Sequence, residues 1–376
     1  MNIDLARELM DRFAEDSGIT GSRRPRRYLW TDAYAVYNFL ALAEWSGDDR
    51  YLTLARELVD QVHRVLGRHR DDDSRKGWIS GLPEEEGEKH PVIGGLRIGK
   101  PFNERARDQP PDPRLEWEQD GQYFHYLTKW MQALHRMGRS TGESRYRMWA
   151  IELAKVAHKG FTHTPYAGGP KRMVWKMSID LSRPLVAAMG QQDPLDGLIT
   201  FLELQSSCGG DCDDRQLASA ITDMGGMVRG ANWETDDPLG IGGLLDNATR
   251  LSQLVFGRNA RRQETLHRIL IDALRSLVRF NRSGSLDHSA EHRLAFRELG
   301  LSIGLHGLNR IRDLVAADES LTAVVRRLQP YGPLADRIDD YWSDVSNRQA
   351  ASWSDHRDIN SVMLAASLMP ESSPRA

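Results

Sequence analysis

The feature that most limits what this chain can fold into is an alternation between two kinds of helical segment. In the first kind the apolar residues form a single stripe. Residues 49–66 place Tyr51, Leu54, Ala55, Leu58, Val59, Val62 and Leu66 on one side, with Arg56, Glu57, Asp60 and Arg64 opposite. Such a helix covers a core and turns its back to water; residues 147–158 and 265–280 follow the same rule. In the second kind the apolar residues run nearly all round, as in WTDAYAVYNFLALAEW (30–45) and QYFHYLTKWMQALHRM (122–137). A helix of that composition is buried on both flanks. Residues 293–311 belong with it, and Gly300, Gly304 and Gly307 there predict close approach of neighbouring helices, since each glycine lowers helix stability in isolation.

Segments of the second kind open near Trp30, Glu118, Ser178, Pro238, His292 and Ser354, a recurrence of roughly 60 residues that signals a helical-hairpin repeat. Covering partners open near Asp49, Glu143, Asp193, Arg262 and Glu319, and the N-terminal helix supplies the sixth. Two turns share letters as well as pattern, SGDDRYLTLA at Ser46 and TGESRYRMWA at Thr141. Each sets glycine after a helix, then an acidic cap, then Arg-Tyr to start the next helix. Links from buried to covering helix are short, whereas the returns 68–117, 160–177, 207–237 and 281–291 are long. In a ring of hairpins the long returns lie at the end that carries the buried helices' N-termini, and long loops on a rigid scaffold are where function concentrates. The expectation is an all-α toroid of about six helical hairpins, one domain over 1–376, its ring closed by the N-terminal helix and its tail, 370–376, disordered. The return 68–117 is the largest addition to that plan. Its charge run 68–76 reads as solvated, and GWISG with VIGGLRIGKPF predicts a hairpin or flap over a pocket.

Composition removes several functions. The net charge of −3 provides no basic field for nucleic acid; the arginine-rich stretch 21–27 reads as a solvated connector able to reach the site. No apolar run approaches the about 18 residues needed to cross a membrane, and residues 1–14 form an amphipathic helix rather than a secretory leader, so a cytoplasmic protein is expected. The only cysteines, Cys208 and Cys212, provide half of a structural zinc site at most and read as free thiols, so neither a metal nor a cofactor is called for.

The helix pattern resembles the six-hairpin glycosidase-type toroid, an (α/α)6 barrel, over nearly the whole chain. That plan is shared by glucoamylase-like hydrolases, unsaturated glucuronyl hydrolases and sugar 2-epimerases. The resemblance implies a pocket at the N-terminal end of the buried helices, lined by aromatics and acids. The Cys/Cys/His zinc set of lanthionine cyclase-like toroids is not evident.

The residues opening each buried segment fit such a pocket. They include Trp30 and Asp32; Trp117, Asp120 and His125; Trp175, Lys176, Asp180 and Arg183; Asp246 and Asn247; Glu298 and His306; and His356, Arg357 and Asp358. First-turn acids also cap helices. Several converging on one cavity, however, raise one another's pKa until one donates protons near neutrality. Cleaving a glycosidic bond needs one carboxyl as acid and another as base or nucleophile. Position ranks Asp120 and Asp180 first, with Asp32 and Asp246 next. Trp30, Trp117 and Trp175 are placed to stack on sugar faces, and Lys176, Arg183 and Arg357 to bind a sugar carboxylate or phosphate. The expected function is a glycoside hydrolase-like enzyme acting on a small-molecule or oligosaccharide substrate, without nucleic-acid or membrane partners. Two alternatives stand beside it. One is a sugar epimerase or isomerase that moves a proton with a pair among His125, His306 and His356. The other is a non-catalytic toroid whose acids are consumed in caps and ion pairs.

Overall fold

The computed structural model describes residues 2–207, 215–254 and 260–369. Cys208, Cys212 and the tail 370–376 lie outside these residues, and so do the expectations placed on them. The chain divides into two compact units, Glu15–Gly230 and a second made of Met1–Ala14 with Ala231–Ala376. Helix α1 (Ile3–Asp16) therefore belongs largely with the C-terminal part of the chain.

The unit Glu15–Gly230 is built on three hairpins. Helices α2 (Leu29–Ser46) and α3 (Asp49–Leu66) form the first. After the short helices α4 (Glu84–Lys89) and α5 (Pro113–Glu118), helices α6 (Phe124–Thr141) and α7 (Ser144–Phe161) form the second. Helices α8 (Asp193–Ser206) and α9 (Arg215–Met227) form the third. Helix α6 packs against α2 on one side and α8 on the other, while α3, α7 and α9 each cover their own partner. The stripe read on 49–66 is the buried face of α3. The two turns alike in letters are alike in form: Gly47 and Gly142 both close their helices in the left-handed conformation, at φ 67° and 71°. Arg50 donates to the Tyr51 hydroxyl (2.8 Å) and Arg145 to that of Tyr146 (3.0 Å). Only the first turn uses its acid as expected, Asp48 accepting from the Arg50 amide.

The third buried helix differs from expectation. The region near Ser178 is not helical; it belongs to a small antiparallel sheet of β1 (Gln122–Tyr123), β4 (Lys176–Met177) and β5 (Pro184–Val186), joined in the order β1–β4–β5. A second pair, β2 (Thr162–His163) and β3 (Arg172–Met173), precedes it. The buried helix is α8, in which every residue from Asp193 to Leu204 is buried. Asp193 therefore opens an inner helix and not a covering one, and α9 is its cover. The acids of α8 read as a polar face, yet DPLDGLITFLEL is apolar on most sides.

The return 68–117 also departs from expectation. Among the described residues it holds no hairpin, only α4, α5 and two isolated bridges, Arg68 to Trp78 and Phe102 to Gln119. Val92, Leu96, Arg97 and Ile98 are buried, so this stretch is wall and not flap. Glycines make the threading possible: Gly95 takes φ +77°, and a Cβ there would lie 2.0 Å from Gln122 Oε1. Nor is the charge run simply solvated. Asp73 is buried and pairs with Arg75 at 2.7 Å. In the connector 21–27, Arg27 is buried and pairs with Asp32 at 3.5 Å.

In the second unit α10 (Pro238–Leu254) packs on α11 (Ala260–Ser283) and on α12 (Ala295–His306). Helix α13 (Leu308–Leu314) leads to α14 (Glu319–Leu328), which covers α11; α15 (Pro333–Ser343) and, beyond the single turn α16 (Ala351–Ser354), α17 (Arg357–Leu368) pack on α12. The glycines have the packing role expected of them. A Cβ on Gly242 would lie 2.0 Å from the Gly300 carbonyl oxygen, and one on Gly304 would lie 2.5 Å from that of Gly242. Among the described residues no helix is long and apolar enough to cross a membrane.

Candidate active site

In the unit Glu15–Gly230 the opening turns of the three inner helices meet, each for a local reason. Helix α2 begins where Asp32 turns back to accept the Tyr28 amide at 2.8 Å, which fixes the turn that carries Trp30. Helix α6 begins where β1 ends, so pairing of Tyr123 with Lys176 sets the position of His125. Helix α8 begins with Asp-Pro, a pre-organised first turn in which Asp193 and Asp196 share a face.

His125 stands at the centre. Its ring stacks on Tyr123 (centroids 5.3 Å apart) and lies parallel to Trp175 (6.2 Å, 9°). Edge contacts join it to Tyr126 at 4.9 Å and Trp30 at 6.1 Å. His125 Nδ1 faces Asp193 Oδ1 at 3.6 Å, too long for a hydrogen bond. Three buried polar atoms, one from each opening turn, therefore have no hydrogen-bonding partner: Trp30 Nε1, His125 Nδ1 and Asp193 Oδ2. Buried polar groups are rarely left so, because each forfeits the hydrogen bonds it made in water.

The electrostatics follow from the burial. Burial first, and then the neighbouring Asp196 charge, lift the Asp193 carboxyl to about 7. The amino-terminal helix field favours the ionised form, but here desolvation and like charge outweigh it. Gly190 closes over this carboxyl so tightly that a Cβ would sit 2.4 Å from Oδ2. Burial pulls His125 down to about 4, the Asp196 charge opposing and Lys129 adding to it, while 26% of its side chain stays accessible. Near neutral pH the pair is thus a neutral imidazole beside a carboxyl that holds or releases its proton. Asp196 is held as an anion acceptor by the Thr128 hydroxyl, by Lys129 Nζ at 3.3 Å and by Gln132 at 3.5 Å.

Beyond Trp175 a cavity of about 330 Å³ is lined by Pro111, Pro113, Trp117, Tyr123, Trp175, Leu185 and Val186, with Asp112 and Glu116 at its edge. Trp117 meets Trp175 edge-on at 5.2 Å and is 54% exposed.

Of the residues singled out in the sequence, Trp30, His125, Trp175 and Trp117 come together here. The leading carboxylates do not. Asp120 is fully buried and spends its oxygens on Arg97 (2.5 Å), Arg70 (3.4 Å) and the amides of Gly99 and Gly121. Asp180 sits in a tight turn beside Leu181, which takes φ 57°. Burial pushes its pKa up, but bonds from Ser182 and Ser178 and the Arg75 charge outweigh that and hold it at about 2, the reverse of what a proton donor needs. Asp32 caps α2 and pairs with Arg27. Lys176 is buried on Glu116 (2.9 Å) and the carbonyls of Glu116 and Gln119, and Arg183 donates to the Arg105 carbonyl.

The remaining residues fall in the second unit. Asp246 lies 3.9 Å from Arg250, which also donates to Asn247. Glu298 takes a forked bond from Arg293 (2.6 Å) and one from Trp342. His306, in the last turn of α12, is bound to Asp339 at 2.8 Å. Opening turns meet in this unit too: the Phe296 amide donates to Asn360, the Phe296 ring lies 5.6 Å from that of His356, and Arg297 pairs with Asp237. Arg357 and Asp358 open α17 beside them. Sequence reasoning missed Asp193 and Asp196. The signal available was the all-round apolar character of 193–204, the same criterion that identified α2 and α6.

Helical hairpins with inner helices meeting at their opening turns define a class, the (α/α)6 fold, and the chain has that fold. An α-mannanase of glycoside hydrolase family 76 from Bacteroides thetaiotaomicron superposes with a TM-score of 0.54 at 8% identity, over 99% of this chain and 95% of its own. An inactive α-1,6-mannanase variant from Salegentibacter sp. HEL1_6, in complex with α-1,6-mannotriose, gives 0.55 at 11% identity over 99% and 98%. The cellobiose 2-epimerase of Spirochaeta thermophila DSM 6192 gives 0.51 at 12% over 96% and 97%. No protein-family model and no curated protein matches the chain. Such identities establish the fold and leave the chemistry to the residues.

Proposed function

We propose that this protein is a carbohydrate-active enzyme of the glycoside hydrolase type, with its reacting centre at His125, Asp193 and Asp196. The observation that carries the reading is the Asp193 carboxyl, buried, without a bond to Oδ2, and raised to about 7 by burial and by Asp196. A carboxyl in that state gives a proton to a leaving oxygen near neutral pH. Asp196, one helical turn away and accepting from Thr128 and Lys129, is the second carboxylate of the pair. Trp30 Nε1 and His125 Nδ1 offer bonds to sugar hydroxyls, and the rings around them form faces on which a sugar lies. Asp120 is assigned to the wall of the site. The neighbours' mannan and cellobiose chemistry supplies the substrates to try first. The epimerase alternative calls for two histidines on one substrate, whereas His125 faces a carboxyl, which favours the hydrolase.

The test compares wild type with Asp193→Asn on α-1,6-mannotriose, cellobiose and aryl glycosides of both sugars. Loss of the acid is expected to slow natural linkages by about 10²–10⁴-fold. Aryl glycosides with a very acidic leaving group need no protonation, and their cleavage falls much less. Equal losses on both kinds of substrate would count against Asp193 as proton donor. Release of an epimer rather than hydrolysis products would replace the reaction class.

A further inference from the structure

We propose that the cavity lined by Trp117 and Trp175 binds the apolar face of a sugar ring adjoining the one that reacts, so that the substrate is an oligosaccharide and not a free monosaccharide. The inference rests on the function proposed above and adds to it the extent of the ligand. Trp175 is the shared element. Its ring neighbours are Tyr123 at 5.0 Å, His125 at 6.2 Å and Trp117, in edge contact at 5.2 Å, and both indoles line the cavity. Its volume of about 330 Å³ lies at the small end of ligand pockets, which run from about 300 to 1,000 Å³. That is room for one ring.

The lining is mostly apolar. Glu116 is consumed by Lys176 and Arg105, and Asp112 caps α5 through the amides of Arg114 and Leu115. What remains is proline, leucine, valine, indole and the Tyr123 ring. Helix α5 is a two-turn segment whose first turn is fixed by Asp112 and Pro113, and it presents Trp117 with 54% of its surface exposed. Two indoles in edge contact, one of them more than half exposed, offer a broad apolar face beside the cavity. A pyranose suits the space, because its axial C–H groups form an apolar face while its hydroxyls point outward to water.

The experiment is calorimetric titration of the full chain carrying Asp193→Asn, which binds without turnover. The probes are mannose and glucose and the tri- and tetrasaccharides of each, with and without Trp117→Ala or Trp117→Phe. The expected result is that a trisaccharide binds more tightly than its monosaccharide. Trp117→Ala is expected to lower that ratio by about tenfold, and Trp117→Phe to restore most of it. A ratio unchanged by Trp117→Ala overturns the subsite while leaving the proposed function standing. Binding of no sugar at all overturns both. An apolar dye that fills the cavity and is displaced by no sugar marks a face for a protein or lipid and also overturns the proposal.

Discussion

Asp120 separates two readings of the same residue. It was the first choice for a catalytic acid on position alone, and the structure gives it four donors: Arg97 at 2.5 Å, Arg70 at 3.4 Å, and the Gly99 and Gly121 amides at 3.0 and 3.1 Å. Arg97 also donates to the carbonyls of Arg68 and Val65, and Arg70 to those of Lys100 and Pro101. Asp120 thereby latches the stretch 65–101 onto the entry to α6. Truncation to alanine leaves the buried Arg97 guanidinium without its counter-charge. Removing one partner of a buried pair costs about 3–5 kcal/mol, a large share of the roughly 5–15 kcal/mol that holds a domain folded. Asp120→Asn keeps an acceptor for the two amides and loses the charge; it is expected to lose about half as much. Urea unfolding followed by circular dichroism measures the stability, and glycoside cleavage by whatever folded fraction remains measures the chemistry. A latch predicts stability lost and cleavage per folded molecule nearly kept. An Asp120→Ala protein within about 1 kcal/mol of wild type, together with an Asp120→Asn protein that folds normally and cleaves about 10²–10⁴-fold more slowly, would refute the latch and restore Asp120 as the acid.

Asp193 makes both activity and stability depend on pH. As proton donor it is active while protonated, so cleavage falls as pH rises past about 7; Asp196→Asn, which removes both the second carboxylate and the charge that helps raise Asp193, is expected to lower the pH at which the Asp193 carboxyl titrates, read by NMR rather than by cleavage. Its folded value lies above the unfolded 3.8, so its contribution to stability is fully present below about pH 4 and is lost as pH rises toward 7. That loss amounts to about 4 kcal/mol at most, and Asp193→Asn removes the slope from a series of urea midpoints; an unchanged slope would show that the carboxyl titrates as in water. Gly242→Ala drives a methyl into the Gly300 carbonyl and is expected to lower stability by about 1–3 kcal/mol. Gly225→Ala in α9, with nothing within 4 Å, is expected to be neutral or to gain up to about 1 kcal/mol, and equal thermal shifts in the two variants would contradict the close crossing of α10 and α12.

The helices were legible because they rest on local periodicity, and so was the role of the glycines on 293–311. The stripe on α3 and the all-round character of α2 and α6 needed no knowledge of the rest of the chain. Helix α8 was misread where two local signals compete. Asp193, Asp196 and Glu203 look like the polar side of a covering helix, and only their burial, with Asp196 accepting from Thr128, Lys129 and Gln132, shows otherwise. The strands were illegible because two or three residues carry no period, and β1 to β4 is a pairing across more than 50 residues. The return 68–117 misled for a related reason. Mixed glycine and apolar residues fit a hairpin as well as a buried strap, and the choice is made by Gln122, whose side chain bonds to Gly94, Leu96 and Ile179.

What divides the acids of this chain into structural and chemical is the distance to a guanidinium, and that distance is set by the fold. Arg70, Arg75 and Arg97 all come from the long return, and they neutralise Asp72, Asp73, Glu104, Asp120 and Asp180. Asp193 is beyond their reach. Its neighbours are a second carboxylate and an imidazole that burial keeps neutral. A carboxyl there gains nothing by ionising and remains available to give up its proton when a substrate oxygen asks for it. The long return thus serves chemistry indirectly. By pairing the other acids it leaves Asp193, in the reading proposed above, as the carboxyl with a proton to transfer, and its own end carries Trp117 to the cavity that Trp175 also lines.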